Sequence, residues 1–144
     1  MADYPPLGFH FKVEFGLDGA GADVRFQEVS GLSTEIGIEE LSEGGENRFV
    51  HRLPTRPKYG NLVLKRGLAT GSKVIDWFTE SLDSFEFSPV DVLVTLLNEK
   101  HEPLMGWSFV KARPVKLSVS DFKASEGAVV IETMELSYNF FRRV

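Results

Sequence analysis

The sequence predicts a mainly β protein: a closed or nearly closed antiparallel β-barrel, or a sandwich, with one flanking helix and an extended hairpin loop. Three observations carry this. Apolar residues recur with period two along most of the 144 residues, which is the signature of half-buried strands. Turn residues separate these runs at short, regular intervals. A single stretch changes to helical spacing.

The elements follow in order. Phe9, Phe11, Val13 and Phe15 alternate with His10, Lys12 and Glu14, giving a first strand that ends in the turn GLDGAG. Val24, Phe26 and Val29 form a second, closed by Ser30-Gly31. Thr34 to Leu41 reads as a third, with Ile36 and Ile38 on one face, followed by the loop SEGGEN at Ser42 to Asn47. Arg48 to Leu53 is a fourth, stopped by Pro54 and Pro57, and Asn61 to Arg66 a fifth, with Leu62 and Leu64 on one face. Val74, Trp77, Phe78 and Leu82 then occupy one side of a helix over Lys73 to Leu82, with Ser72 placed to cap its first turn. Asp91 to Leu97 is apolar on both faces and expected to be buried on both. The turn NEKHEP leads to a strand carrying Met105, Trp107 and Phe109, ended by Pro114. Val115, Leu117 and Val119 alternate in another strand. Ala128 to Phe141 is a last long strand with Val130, Met134, Leu136, Tyr138 and Phe140 on one face. The expected core is Phe11, Val13, Phe26, Leu64, Trp77, Phe78, Val94, Leu96, Trp107 and Leu136. No linker or internal repeat divides the chain, so residues 1–144 read as one domain.

Composition narrows the function. Apolar residues make up 42% and charged residues 26%, enough for one core and too balanced for a disordered acidic tail. No apolar run reaches the length of a membrane span, and no leader is visible at the N-terminus. The net charge of −5 argues weakly against a nucleic-acid binder, whose phosphate contacts need clustered Lys and Arg, so no specific nucleic-acid site is expected. Cysteine is absent, which excludes disulfides, thiolate metal sites and Cys nucleophiles. His10, His51 and His101 have no metal-ligand spacing: His10 sits on a polar strand face, His51 among arginines and His101 in a turn. Ser30 lies in VSGL rather than in a nucleophile elbow. Glu39 and Glu40 point to opposite faces of their strand and cannot act as a paired acid and base. The sequence therefore offers no catalytic residues, no metal ligands and no cofactor site.

What stands out is the order of charge. Glu35, Glu39, Glu40, Glu43 and Glu46 crowd one segment, whereas Asn47 to Ile75 contains no acid but has Arg48, Arg52, Arg56, Lys58, Lys65, Arg66 and Lys73. An acidic arm turns into a basic arm at SEGGEN. The two can attract each other across a hairpin ladder. They can also reach opposite rims of the molecule, so that complementary charges meet when copies stack head to tail. Glu39, Glu40, Glu43, Glu46 and Asn47, with Arg48, Arg52, Arg56 and Lys58, are the residues expected at a ring-to-ring or neighbour interface.

Four segments, EVSGL at Glu28, EGGEN at Glu43, KYGNLVLKRG at Lys58 and VIETMEL at Val130, occur in this order after and around the strands above. Together they resemble the tail tube family of contractile-tailed phages and phage-tail-like contractile injection particles. The resemblance implies a β-barrel similar to the type VI secretion tube protein, without enzymatic activity. It implies hexameric rings that stack into a hollow tube, with partners in the sheath protein, other tube or baseplate proteins and cargo in the lumen. It also implies assembly in the cytoplasm, then a place in a phage tail or a released extracellular particle. The lead-in Tyr4 to Phe9 and the aromatic-basic ending Tyr138 to Arg143 depart from a generic shaft subunit, so the resemblance leaves two places open, a shaft subunit or the baseplate-proximal ring, with a slight tilt toward the ring. The alternative is a diffusible barrel that binds a small ligand in its mouth.

Overall fold

The computed structural model describes residues 10–17, 25–42, 44–45, 50–68, 72–85, 88–120 and 130–144. Among them the chain forms ten strands and one helix: β1 His10–Phe15, β2 Arg25–Phe26, β3 Glu28–Ser30, β4 Thr34–Leu41, β5 His51–Tyr59, β6 Leu62–Gly67, α1 Lys73–Ser84, β7 Val90–Leu97, β8 Pro103–Val119, β9 Ile131–Ser137 and β10 Phe140–Arg143. An antiparallel sheet runs in the order β2-β1-β7-β8-β9-β6-β3, and β10 also pairs with β8. β4 and β5 form a separate two-stranded ribbon, the predicted hairpin.

The expectation of a closed barrel is corrected. The edge strands β2 and β3 are the two halves of what the alternation presents as one strand. Gln27 turns the segment, so Phe26 pairs with Phe11 of β1 while Val29 pairs with Leu64 of β6. The Gln27 N–H donates to the Lys65 carbonyl at 2.9 Å, but no ladder joins the two edges. The sheet curls around a core of Val13, Phe15, Phe26, Leu64, Phe109 and Leu136. Phe11 and Trp107 are only partly buried against that core, and Leu96 is half-buried outside it, so the predicted core is trimmed at three positions. The outer face of β7 is likewise half-buried at Leu93 and Thr95 rather than fully covered.

Prolines misplace three strand ends. β5 continues through Pro54 and Pro57, which sit opposite Ile38 and Ile36; each strand of a two-stranded ribbon has an unpaired edge, so a missing N–H is tolerated there. The two strands expected on either side of Pro114 are one strand, β8. Its register shifts between Pro114 and Lys116, a bulge that absorbs the missing donor. The first half of β8 pairs with β7 and β10, and the second with β9. The predicted final strand is conversely two, β9 and β10, divided at Tyr138-Asn139, and the break turns Phe141 toward the core.

Helix α1 starts where expected. Ser72 has extended backbone and its Oγ accepts the Ile75 N–H at 3.1 Å, satisfying a donor that the first turn leaves free. Val74, Trp77, Phe78 and Ser81 are buried, whereas Leu82 is 39% exposed. The buried stripe therefore follows i, i+3, i+4, i+7, and the small Ser81 takes the place expected of Leu82. Trp77 donates its indole N–H to the Ser88 carbonyl at 3.1 Å and meets Phe15 edge-on at 6.2 Å. Trp77→Ala should lower stability by roughly 3 kcal/mol, read as a shift in the urea midpoint with an unchanged slope. An unchanged midpoint would show that the helix does not depend on this side chain.

Candidate assembly surface

The β4–β5 ribbon is the feature least explained by the needs of one chain. A two-stranded sheet alone is marginal in water, and this one carries apolar residues that no described residue covers. Ile36 is 60% and Ile38 62% exposed, and Leu41, Val50 and Leu53 are exposed as well. The register places Ile36 opposite Pro57, Ile38 opposite Pro54 and Glu40 opposite Arg52. Alternate residues share a face, so one side of the ribbon is an apolar strip of Ile36, Ile38, Pro54 and Pro57 ending in a charge pair. The other side carries Glu35 opposite Lys58, Glu39 opposite Leu53 and Leu41 opposite His51.

The root of the ribbon is built from the motifs singled out above. Gly31 has φ of +88°, and a Cβ there would collide with the Asn61 carbonyl oxygen. EVSGL and KYGNL thus meet at a point where only glycine fits. Tyr59, the last residue of β5, packs edge-on against Tyr138 at 5.9 Å and Phe141 at 5.3 Å. The Tyr138 hydroxyl donates to the Gly60 carbonyl at 2.7 Å. Burial, then the neighbouring Tyr59, push the Tyr138 hydroxyl up to about 12 from its usual value near 10. A raised pKa means that the unfolded chain loses this proton first. Tyr138 therefore contributes stability that is fully present below pH about 10 and is lost as pH rises through about 12. Absorbance titration should show one tyrosine ionising late in the wild type, and that late component should disappear in Tyr138→Phe.

The charged residues fall into three groups. Glu40 and Arg52 come together at 3.9 Å, both largely exposed, and Lys58 faces Glu35 across the ladder. Glu39 faces an apolar residue, and Arg56 lies where the register shifts. Glu43, Glu46, Asn47 and Arg48 lie outside the described residues. Among the described residues the acidic and basic arms are neighbours in one ribbon, with Glu35 opposite Lys58 and Glu40 opposite Arg52. An exposed pair of this kind is worth at most about 1 kcal/mol.

Sequence reasoning missed a buried charge cluster beneath the helix. Arg66 of β6 and Glu132 of β9 are register partners, 6% and 1% exposed, joined by an ion pair through Arg66 Nε and Glu132 Oε1. Arg66 also donates to Ser72 Oγ at 2.9 Å and lies over the Phe26 ring at 4.9 Å. One guanidinium thereby connects β9, the helix cap and edge strand β2. The signal was present: Arg66 follows Leu62 and Leu64 at the next inward position, and Glu132 precedes Met134 and Leu136 in the same way.

Among the described residues no group of three or more His, Cys, Asp or Glu could hold a metal ion. No helix there is long and apolar enough to cross a membrane.

The family model of the T4-like virus tail tube protein gp19 matches residues 7–142. Among solved structures, the chain is similar to one in the six-fold symmetrised baseplate of the anti-feeding prophage. Identity is 28% and the TM-score 0.81, covering 100% of this chain and 97% of that one. A chain of the extended sheath–tube complex of the PVC extracellular contractile injection system is 23% identical with a TM-score of 0.77, covering 99% and 93%. Hcp1 from Flavobacterium johnsoniae shares the fold at 14% identity and a TM-score of 0.56, covering 93% and 94%. No curated protein matches the chain by sequence.

Proposed function

The chain belongs to the family of T4-like virus tail tube proteins, and from that premise we propose that six copies form a ring at the baseplate end of the tube. It is a structural tail tube protein of a contractile injection system. The observation that carries the assembly is the ribbon: Ile36 and Ile38 stand exposed on a separate two-stranded sheet, uncovered by any described residue. Apolar surface gains about 25 cal/mol per Å² when removed from water, so a neighbouring copy is its natural cover. Similarity at 28% identity to a chain of a six-fold symmetrised baseplate supports the ring of six and its position at the start of the tube rather than along the shaft.

In this reading Glu39, Glu40, Glu43, Glu46, Asn47, Arg48, Arg52, Arg56 and Lys58 border the contact with the next ring or neighbour. The sheath protein, other tube proteins and baseplate proteins are the partners, and assembly takes place in the cytoplasm before the particle is complete. The ring encloses a lumen for cargo and needs no cofactor. Electron microscopy of the purified protein tests this. Six-membered rings that do not extend into tubes are the expected result. Long unaided tubes would place the subunit in the shaft, and a protein that stays monomeric at high concentration would overturn the assembly reading.

A further inference from the structure

His10, at the start of β1, and His101, in the turn between β7 and β8, stand against each other although 91 residues apart in sequence. Nε2 of His10 lies 3.1 Å from Nδ1 of His101, and the ring centroids are 4.7 Å apart with the planes tilted by 37°. An in-line N–H···N hydrogen bond of that length would hold the ring centres about 5.4 Å apart. The rings are folded closer than that, so the hydrogen bond between them is bent and the two nitrogens are turned off a common axis. If both aim at a common point about 2.1 Å away, the usual metal–imidazole distance, their spacing corresponds to an angle of roughly 95° and ring centres about 4.8 Å apart. The observed 4.7 Å fits that arrangement.

We propose that His10 and His101 form a two-imidazole site for a divalent transition cation. An angle near 90° suits adjacent positions of an octahedral or square-planar ion, Ni²⁺ or Cu²⁺, better than the wider tetrahedral angle of Zn²⁺. The site opens to solvent beside a shallow cleft of about 440 Å³ that His101 helps to line, so water can complete the coordination. The surrounding charge is mixed. Lys12 is held by Glu14 at 2.9 Å, Arg25 lies across the ladder from Lys12, and Glu102 adjoins His101. A bound ion would tie the start of β1 to the β7–β8 turn and stabilise the fold in proportion to its occupancy.

The test is titration of the purified protein with NiCl₂, followed by calorimetry and thermal unfolding, with MgCl₂ as the hard-cation control. Saturable binding of one Ni²⁺ per chain, a raised unfolding temperature and no response to Mg²⁺ are expected. His10→Gln or His101→Gln should each weaken binding by at least the 10–100-fold that loss of a mere outer-shell partner costs. Paramagnetic broadening of the His10 and His101 ring resonances, with those of His51 left sharp, reads the site in the wild type without any variant. Absence of saturable binding, equal broadening of all three histidines, or undiminished affinity in either variant would overturn the proposal.

Discussion

Glu132→Ala is expected to lower the stability of the chain by about 3–5 kcal/mol. The substitution leaves the Arg66 guanidinium buried beneath the helix with its ion-pair partner gone. The Ser72 hydroxyl can still accept from Arg66, but a neutral oxygen does not balance a buried charge. Ser72 also caps α1, so movement of Arg66 disturbs the helix start as well as the β6–β9 ladder. The double variant Arg66→Met/Glu132→Leu removes both charges and should recover most of the loss, because well-packed apolar residues of similar volume often replace a buried pair at little cost. Urea unfolding of wild type, single and double variants closes the cycle. If the single and double variants are equally unstable, the loss comes from packing at this site and not from the lost Glu132 charge.

This pair also shows why part of the molecule was legible in the sequence and part was not. Alternation located β1 and β6 because each has one face on the core and no proline or break within it; β4 alternates too, although neither of its faces reaches the core. The helix was legible from Ser72 and the spacing of Val74, Trp77 and Phe78. Alternation does not report pairing partners, however, so it could not show that Gln27 divides one strand between two sheet edges. Proline was read as a stop, yet Pro54, Pro57 and Pro114 fall where the ladder needs no donor from them, at ribbon edges or a bulge. Arg66 and Glu132 were passed over because charge was read as exposure, although both occupy inward positions of otherwise apolar faces. His10 and His101 meet only through tertiary structure, and no spacing rule links them. The charge switch at SEGGEN did foretell a hairpin, and the Glu40–Arg52 pair lies across it; the apolar strip on the same ribbon was visible only once Ile36 and Ile38 proved to be exposed.

That strip sets the second large expectation. In the ring reading, Ile36→Asp/Ile38→Asp should abolish assembly while each subunit remains folded. Burying a large aliphatic side chain contributes about 1.5–3 kcal/mol, and a carboxylate in its place would have to be desolvated against the neighbour at further cost. Two such changes in each of six copies exceed what rim charges can restore. Reversal of charge at Glu40 acts on an exposed pair worth at most about 1 kcal/mol, and Glu43→Lys/Glu46→Lys reverses two further acids of the same sequence segment. Those variants should weaken stacking in a salt-dependent way, since exposed charges are screened beyond about 8 Å at physiological ionic strength, and should leave single rings intact. Sedimentation and electron microscopy at low and high salt distinguish the two. Assembly lost in the Ile36/Ile38 variant at every salt concentration, with rings retained in the charge variants, assigns the cohesion to the apolar strip and the register to the charges. Rings that form normally from the Ile36/Ile38 variant would mean that the ribbon points into solvent, and the contact between copies would then have to be sought along the edges of the main sheet, where β2 and β3 leave the ladder unclosed.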